Sequence, residues 1–164
     1  MLKAIAATSI VLLVSCRALA AGPMTVEQIR EVIDAADAAA IQRDTQGIGD
    51  YLSEHFEKTV EVPYRGGTAA TKLDKRQYLD LIDKGWSDME AYSYRRENTV
   101  INVATDGRSG ESSSTITEIV VIDGEPRVSK VREYARYALE NGKPVVTAID
   151  GHTLVGDSMP DASR

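Results

Sequence analysis

Two histidines are the only side chains in this sequence whose ordinary pKa lies near neutrality, and they stand far apart, at His55 and His152. His55 follows Tyr51 by four positions, a spacing that puts both on one face of a helix, and Phe56 comes next. An imidazole in that setting is a candidate general base. The plainer reading is a half-exposed histidine near the end of a short helix. A second constellation arises if Asn141-Gly142 forms a two-residue turn. Glu140 then faces Lys143, Glu133 faces Asp150, and His152 falls on the same face as both acids. Facing carboxylates raise one another's pKa, and a nearby imidazole can share the proton. The alternative is a solvated strand end where these charges neutralise one another. Lys130, Arg132 and Arg136 alternate along one face of a strand, as an anion site or as a charged surface. The same pairing logic across Asp123-Gly124 sets Glu111 opposite Arg136, an ordinary cross-strand ion pair. Trp86, Tyr92 and Tyr94 are candidates to line a pocket or to pack the core.

Familiar catalytic and metal-binding patterns do not occur. The sequence has no HExxH, CxxC, Gly-x-Ser-x-Gly or phosphate-binding glycine loop, and no EF-hand spacing, so no metal and no cofactor are expected. The one cysteine, Cys16, lies in the N-terminal apolar segment, so no intramolecular disulfide is available and stability must come from the core. The formal net charge of −6 repels polyanions, and no nucleic-acid partner is expected.

The N-terminus has the make-up of a secretory signal. Lys3 supplies a basic start, Ala4 to Val14 carries no charge, and Ala18-Leu19-Ala20 fits the small-x-small cleavage rule, making 1–20 the signal peptide. Cleavage there removes Lys3 and Arg17 and no acid, taking the net charge from −6 to −8. Leu13-Val14-Ser15-Cys16 also resembles a bacterial lipobox, which would place a lipid on Cys16 and anchor the protein to a membrane. The expected location is periplasmic or secreted.

The elements that must position these residues follow from periodicity and caps. Thr25-Val26-Glu27-Gln28 is a capping box, and Val26, Ile29, Ile33, Ala36 and Ala40 continue at helical spacing to about Arg43. Ile48, Tyr51, Leu52 and Phe56 suggest a second short helix. Thr59 to Tyr64 is β-branched and extended, turned by Arg65-Gly66-Gly67. A third helix starts at Asp74, with Gln77 as its box partner and Tyr78, Leu79, Ile82 and Trp86 on one side. Asp106-Gly107, Asp123-Gly124 and Asn141-Gly142 then separate four long β runs, about 90–105, 109–122, 125–140 and 143–155. Strands of that length call for strong bending or bulges. Helices followed by an antiparallel meander is an α+β arrangement, with one domain over 25–155 and a loose tail over 156–164.

That element order, the Ile41-Gln42-Arg43-Asp44 ending of the first helix and the final Tyr134–Gly151 hairpin resemble the nuclear transport factor 2-like superfamily, which includes SnoaL-like polyketide cyclases and ketosteroid isomerases. The resemblance implies a cone with a pocket between helices and curved sheet, often in a dimer, with His55 near the pocket mouth. Tyr51, Phe56, Trp86 and Tyr94 are the expected pocket residues. No full carboxylate-and-oxyanion-hole set of the isomerase kind aligns with the sequence; Asp44 and Asp50 are the acids near the right helices. The reading adopted is an exported, non-catalytic binding or interaction module with a small apolar pocket for an unknown small molecule or protein. The alternatives are a SnoaL-like enzyme using His55 with a nearby acid, and a protein-binding inhibitor acting through its acidic surface. Apolar side chains on both faces at Val120-Val121-Ile122 and Val145-Val146 imply that the outer face is covered, most simply in a homodimer.

Overall fold

The structure, a computed structural model, describes residues 22–64 and 67–155. The expected signal peptide with Cys16 and the expected tail lie outside the described residues.

Helix α1 (Val26–Gln42) begins at the expected capping box. The Thr25 hydroxyl accepts from the Gln28 N–H at 3.2 Å, and the Gln28 side chain accepts from the Thr25 N–H at 2.9 Å. Ile29, Val32, Ile33, Ala39 and Ala40 form its buried stripe. Arg43, at φ 56°, ends it in the left-handed region. Helix α2 (Thr45–Gly49) is capped by Asp44 and is only five residues long. It stops before Tyr51, so the expected helix through Phe56 is corrected: strand β1 (Leu52–Tyr64) already begins at Leu52. Leu52 and Phe56 are four apart, an even number that satisfies strand alternation as well as helical repeat, and here the strand wins.

Strand β2 (Gly67–Asp74) pairs antiparallel with β1 and leads into helix α3 (Lys75–Ser87). Asp74 and Gln77 form the second capping box, with the Asp74 carboxylate accepting from the Gln77 N–H at 2.8 Å. Leu79 of α3 packs over Gly49, where an added Cβ would lie 3.1 Å from its Cδ1. The four-strand meander follows as β3 (Ala91–Val103), β4 (Ser109–Ile122), β5 (Glu125–Glu140) and β6 (Lys143–Val155).

Among the described residues, six strands form one sheet in the order β2-β1-β6-β5-β4-β3, antiparallel throughout except where β1 lies parallel to β6. Asp123-Gly124 and Asn141-Gly142 make tight turns with positive φ at both residues, as a type I′ hairpin demands. The Asp106-Gly107 turn is looser. There the Ala104 N–H donates to the Ser109 carbonyl at 2.9 Å, and only Gly107 has positive φ. Its carbonyl accepts from the Met24 N–H at 2.7 Å, tying the loop to the entrance of α1.

The register of the meander shifts at three places, once between Lys130 and Val131 near the end of β6 and at two bulges within the strands. In β3, Asn98 adopts φ 55°, and the register shifts between Glu97 and Val100. In β6, Arg136 faces Ala148 while Tyr137 faces Val146, leaving Thr147 as the extra residue. The Thr147 hydroxyl fills the gap by donating to the Arg136 carbonyl at 3.2 Å. Helices and the concave face of the sheet enclose a core built on Ile29, Ile33, Phe56, Trp86, Tyr137 and Val146.

Candidate functional site

Between the helices and the concave sheet lies a cavity of about 280 Å³. Ile33, Ala36 and Ala40 of α1, Ile48 of α2, and Ile82 and Trp86 of α3 give it an apolar wall. The sheet contributes through alternation: Tyr92, Tyr94 and Arg96 of β3, Ile116 and Glu118 of β4, and Val131, Glu133, Ala135 and Tyr137 of β5 all point inward. Lys58 of β1, Asp37 of α1 and Tyr78 of α3 also line it.

Most of the charge forms one network. Arg96 Nε donates to both oxygens of Asp37, at 2.9 and 3.0 Å, and its Nη1 donates to Glu133 at 3.0 Å. Arg96 Nη2 donates to the Tyr94 hydroxyl at 2.8 Å, and that hydroxyl donates onward to Asp37 at 2.7 Å. Lys58 Nζ lies 3.7 Å from the other Glu133 oxygen and 5.7 Å from the centre of the Tyr78 ring. The Arg96 and Glu133 side chains are only 12% and 15% exposed, so these are substantially desolvated charges held by partners.

The two acids of this network respond oppositely. Burial pushes the Asp37 carboxyl above its ordinary value, and the charge of Arg96 with the Tyr94 hydrogen bond only partly offsets that. Burial acts the same way on Glu133, but Lys58 and Arg96 together outweigh it and hold the group below the usual carboxylate range. Arg96 loses solvation too, yet Glu133, Tyr94 and Asp37 keep it more firmly protonated than an ordinary arginine. Burial raises Tyr78, Tyr92, Tyr94 and Tyr137, and the cavity carboxylates add to the shift; all four remain neutral phenols able to donate. Tyr92 donates to Glu118 at 2.7 Å, and Tyr137 shares a hydrogen bond with Ser112 at 3.0 Å.

The sequence-derived candidates distribute unevenly over this geometry. Tyr51, Trp86 and Tyr94 line the cavity. Phe56 is 2% exposed and sits in the core with its ring centroid 5.4 Å from that of Tyr78, but it is not part of the lining. His55 is an exposed residue of β1, outside the cavity lining; its N–H donates to the Ser53 hydroxyl at 3.0 Å. The expected helix face shared with Tyr51 does not form, because the helix has ended at Gly49. Asp44 caps α2, accepting from the Gly47 N–H at 3.0 Å, and Asp50 follows the helix as an exposed residue.

The expected group of Glu133, Asp150 and His152 is divided between the two sides of the sheet. Glu140 does face Lys143, but the Thr147 bulge shifts the register, and Glu133 pairs with Gly151 instead of Asp150. A one-residue slip exchanges faces. Glu133 keeps the inward face it shares with Val131, Ala135 and Tyr137, whereas Asp150 is turned to the outside, where it pairs with Arg136 at 3.3 Å. His152 lies 3.2 Å from Glu61, with its ring edge-on to Tyr134. Glu111 does face Arg136 in the register. Among the described residues no group of three His, Cys, Asp or Glu is placed to hold a metal ion.

Asp37, Lys58, Arg96, Glu118 and Glu133 were not singled out from sequence as cavity residues. A signal for three of them exists: Asp37 falls within the apolar stripe of α1, and Arg96 and Glu133 fall at inward positions of otherwise apolar or aromatic alternations. A charge on a core-facing position marks either a pairing or a site.

No protein-family model and no curated protein matches the chain. Solved structures do. A scytalone dehydratase-like protein from Novosphingobium aromaticivorans superposes with a TM-score of 0.67 at 10% identity, covering 80% of this chain and 85% of that one. The type 3 hexachlorocyclohexane dehydrochlorinase LinA of Novosphingobium barchaimii gives 0.64 at 11% identity, over 82% and 90%. A nuclear transport factor 2-like protein from Cytophaga hutchinsonii gives 0.62 at 14% identity, over 80% and 100%. The chain has the nuclear transport factor 2-like fold. At these identities the likeness establishes the α+β fold, and the chemistry has to be read from the side chains.

Proposed function

We propose that this domain binds a small, mostly apolar molecule in the interior cavity, without turnover. The observation that carries the reading is a concave space of about 280 Å³ whose wall is largely aliphatic and aromatic, while the Arg96, Asp37, Glu133 and Lys58 network is satisfied internally. That volume is near the lower limit for ligand pockets, which suits a molecule built on a single ring. Both histidines are exposed and belong to other parts of the surface, so neither supports a general base in this space. The composition of the N-terminal segment favours an encounter with the ligand outside the cytoplasm.

Ligand-observed NMR of the folded protein with a panel of single-ring molecules tests the reading. Ala36→Phe fills the cavity and should abolish binding while leaving the circular dichroism spectrum intact. His55→Ala, altering an exposed strand residue, should bind as the parent does. Failure of every ring to bind, or unchanged binding in a folded Ala36→Phe protein, would overturn the proposal.

A second reading has one specific support: Asp37 lines the cavity with its pKa raised, as suits a proton acceptor. Two structural neighbours bear the names of a dehydratase and a dehydrochlorinase, activities that belong to those proteins. On this reading Asp37 accepts the proton and Tyr94 donates a hydrogen bond. It predicts turnover of some bound ring that Asp37→Asn reduces by about a hundredfold or more while binding persists.

A further inference from the structure

The paired charges of the cavity do not account for all of its acids. Asp37 and Glu133 share Arg96 and Lys58, two carboxylates with two cations. Glu118 is the third carboxylate in the lining, and among the described residues its side-chain hydrogen bond is the one it receives from the Tyr92 hydroxyl, at 2.7 Å on Oε1. No described cation comes within ion-pairing distance of it. Arg127 occupies the same inward face of β5, diagonally across from Glu118 beyond Ser129, but makes no ion pair with it. Arg43 stands 5.8 Å from the centre of the Tyr92 ring with its Nη1 donating to the carbonyls of Trp86 and Met89, so it is engaged elsewhere.

The surroundings of Glu118 are aromatic. Tyr94 is its cross-strand neighbour, Tyr92 holds one of its oxygens, and the Trp86 ring lies edge-on to Tyr92 with centroids 6.0 Å apart. The Tyr78 hydroxyl has no hydrogen-bond partner among the described residues and feels the field of both Glu118 and Glu133. These phenols stay neutral, so they cannot offset the carboxylate; Lys58 already stands over the Tyr78 ring and Arg43 over the Tyr92 ring, which shows the sign of charge this aromatic wall favours. Three carboxylates against two cations leave the lining one negative charge in excess.

We infer that the cavity selects a small ligand carrying a protonated amine, which Glu118 receives on its cavity side, with Trp86 and Tyr94 in the surrounding wall. The inference deepens the binding function proposed above and rests on it. A carboxylate and an aromatic wall reinforce each other here, since both favour positive charge. A carboxylate ligand would meet the same group as a repulsion, and a neutral alcohol would gain only one hydrogen bond. The apolar wall from α1 and α3 would take the ring of such an amine.

Three probes of similar size separate the possibilities: phenethylamine, 2-phenylethanol and 3-phenylpropionate, each titrated calorimetrically into the full domain near neutral pH. The amine should bind about tenfold or more tighter than the alcohol, the scale of a desolvated cation–π or charged hydrogen-bond contact, and the acid should bind weakest. Glu118→Gln should erase the preference for the amine and leave the alcohol's affinity within about threefold. If Glu118→Gln does not fold, the three wild-type affinities decide by themselves. Equal binding of amine and alcohol, or tighter binding of the acid, refutes the amine inference while the binding function stands. Binding of none of the three refutes both.

Discussion

Replacing Glu133 by glutamine tests the claim that the interior charges hold one another in place. The amide keeps the size of the side chain and can still accept one hydrogen bond, but it removes the charge lying 3.0 Å from Arg96 and 3.7 Å from Lys58. Arg96 retains Asp37, whereas Lys58 loses its carboxylate partner while its side chain stays 16% exposed. Breaking a buried pair by neutralising one member costs about 3–5 kcal/mol, and the residual hydrogen bond points to the lower end, about 3 kcal/mol. For a domain of this size each kcal/mol moves Tm by about 3–5 °C, so Tm should fall by about 10–15 °C. The pH dependence carries a sign that packing effects would not share. Glu133 is held below its ordinary value in the folded state, so its contribution is present above the unfolded value and is lost as pH falls through the folded one. The gap between parent and Glu133→Gln should therefore narrow on acidification below the usual carboxylate range. Asp37 works in the opposite sense: its raised value means that folding disfavours its charge, a cost relieved as pH falls through that raised value. Thermal melts followed by circular dichroism at neutral pH and at several acidic values read both effects. A Tm at neutral pH within about 2 °C of the parent, well under the shift expected from the pair, or a gap that widens with acid, would refute the reasoning.

Gly107→Ala should destabilise the domain by about 2–3 kcal/mol, because φ is 63° and the new Cβ would come 2.3 Å from the Pro23 Cβ. Gly124→Ala, at φ 75° with nothing within 4 Å, should cost only the backbone strain, about 1 kcal/mol, so equal losses in urea titrations would contradict the close contact. N-terminal sequencing of the exported protein should begin at Ala21 or at a lipid-modified Cys16, and an intact Met1 on a cytoplasmic protein would count against export. Ile119 and Val128 are 41% and 46% exposed on the outer face of the sheet, so light scattering at micromolar concentration should give a dimer mass, and Val128→Lys should shift it toward monomer. A monomer mass for the parent would refute that assembly.

Much of the fold was legible because its signals are local. Thr25 with Gln28, and Asp74 with Gln77, close capping boxes within three residues, and both helices start where those pairs stand. Asp123-Gly124 and Asn141-Gly142 impose their own turn geometry through positive φ, so the hairpins they close could be placed from the dipeptides alone. The stretch from Ile48 to Phe56 was ambiguous because a spacing of four serves helix and strand alike. Its outcome was decided by partners distant in sequence, with Leu52 and Glu57 pairing to Val146 and Ala148 of β6.

The candidate site depended on tertiary structure in a stricter way. Tyr51, Trp86 and Tyr94 were recognisable as large aromatic residues able to line an interior, but the sequence could not say which charges would join them. That choice rests on bulges. Thr147 adds one residue to β6, so Asp150 turns outward and Glu133, inward by the alternation of β5, is left with Arg96 and Lys58 as partners. Asn98 adds one to β3, so Arg96 shares the inner face with Tyr94 before the bulge while Ile101 and Val103 take it afterwards. Sequence by itself determined where the capped helices begin and where the tight hairpins turn, because those preferences act over a few neighbouring residues. Which charged side chains became interior was decided only when the described strands and helices closed on one another, since burying a charge is tolerable only once its opposite has been brought within reach from a distant part of the chain.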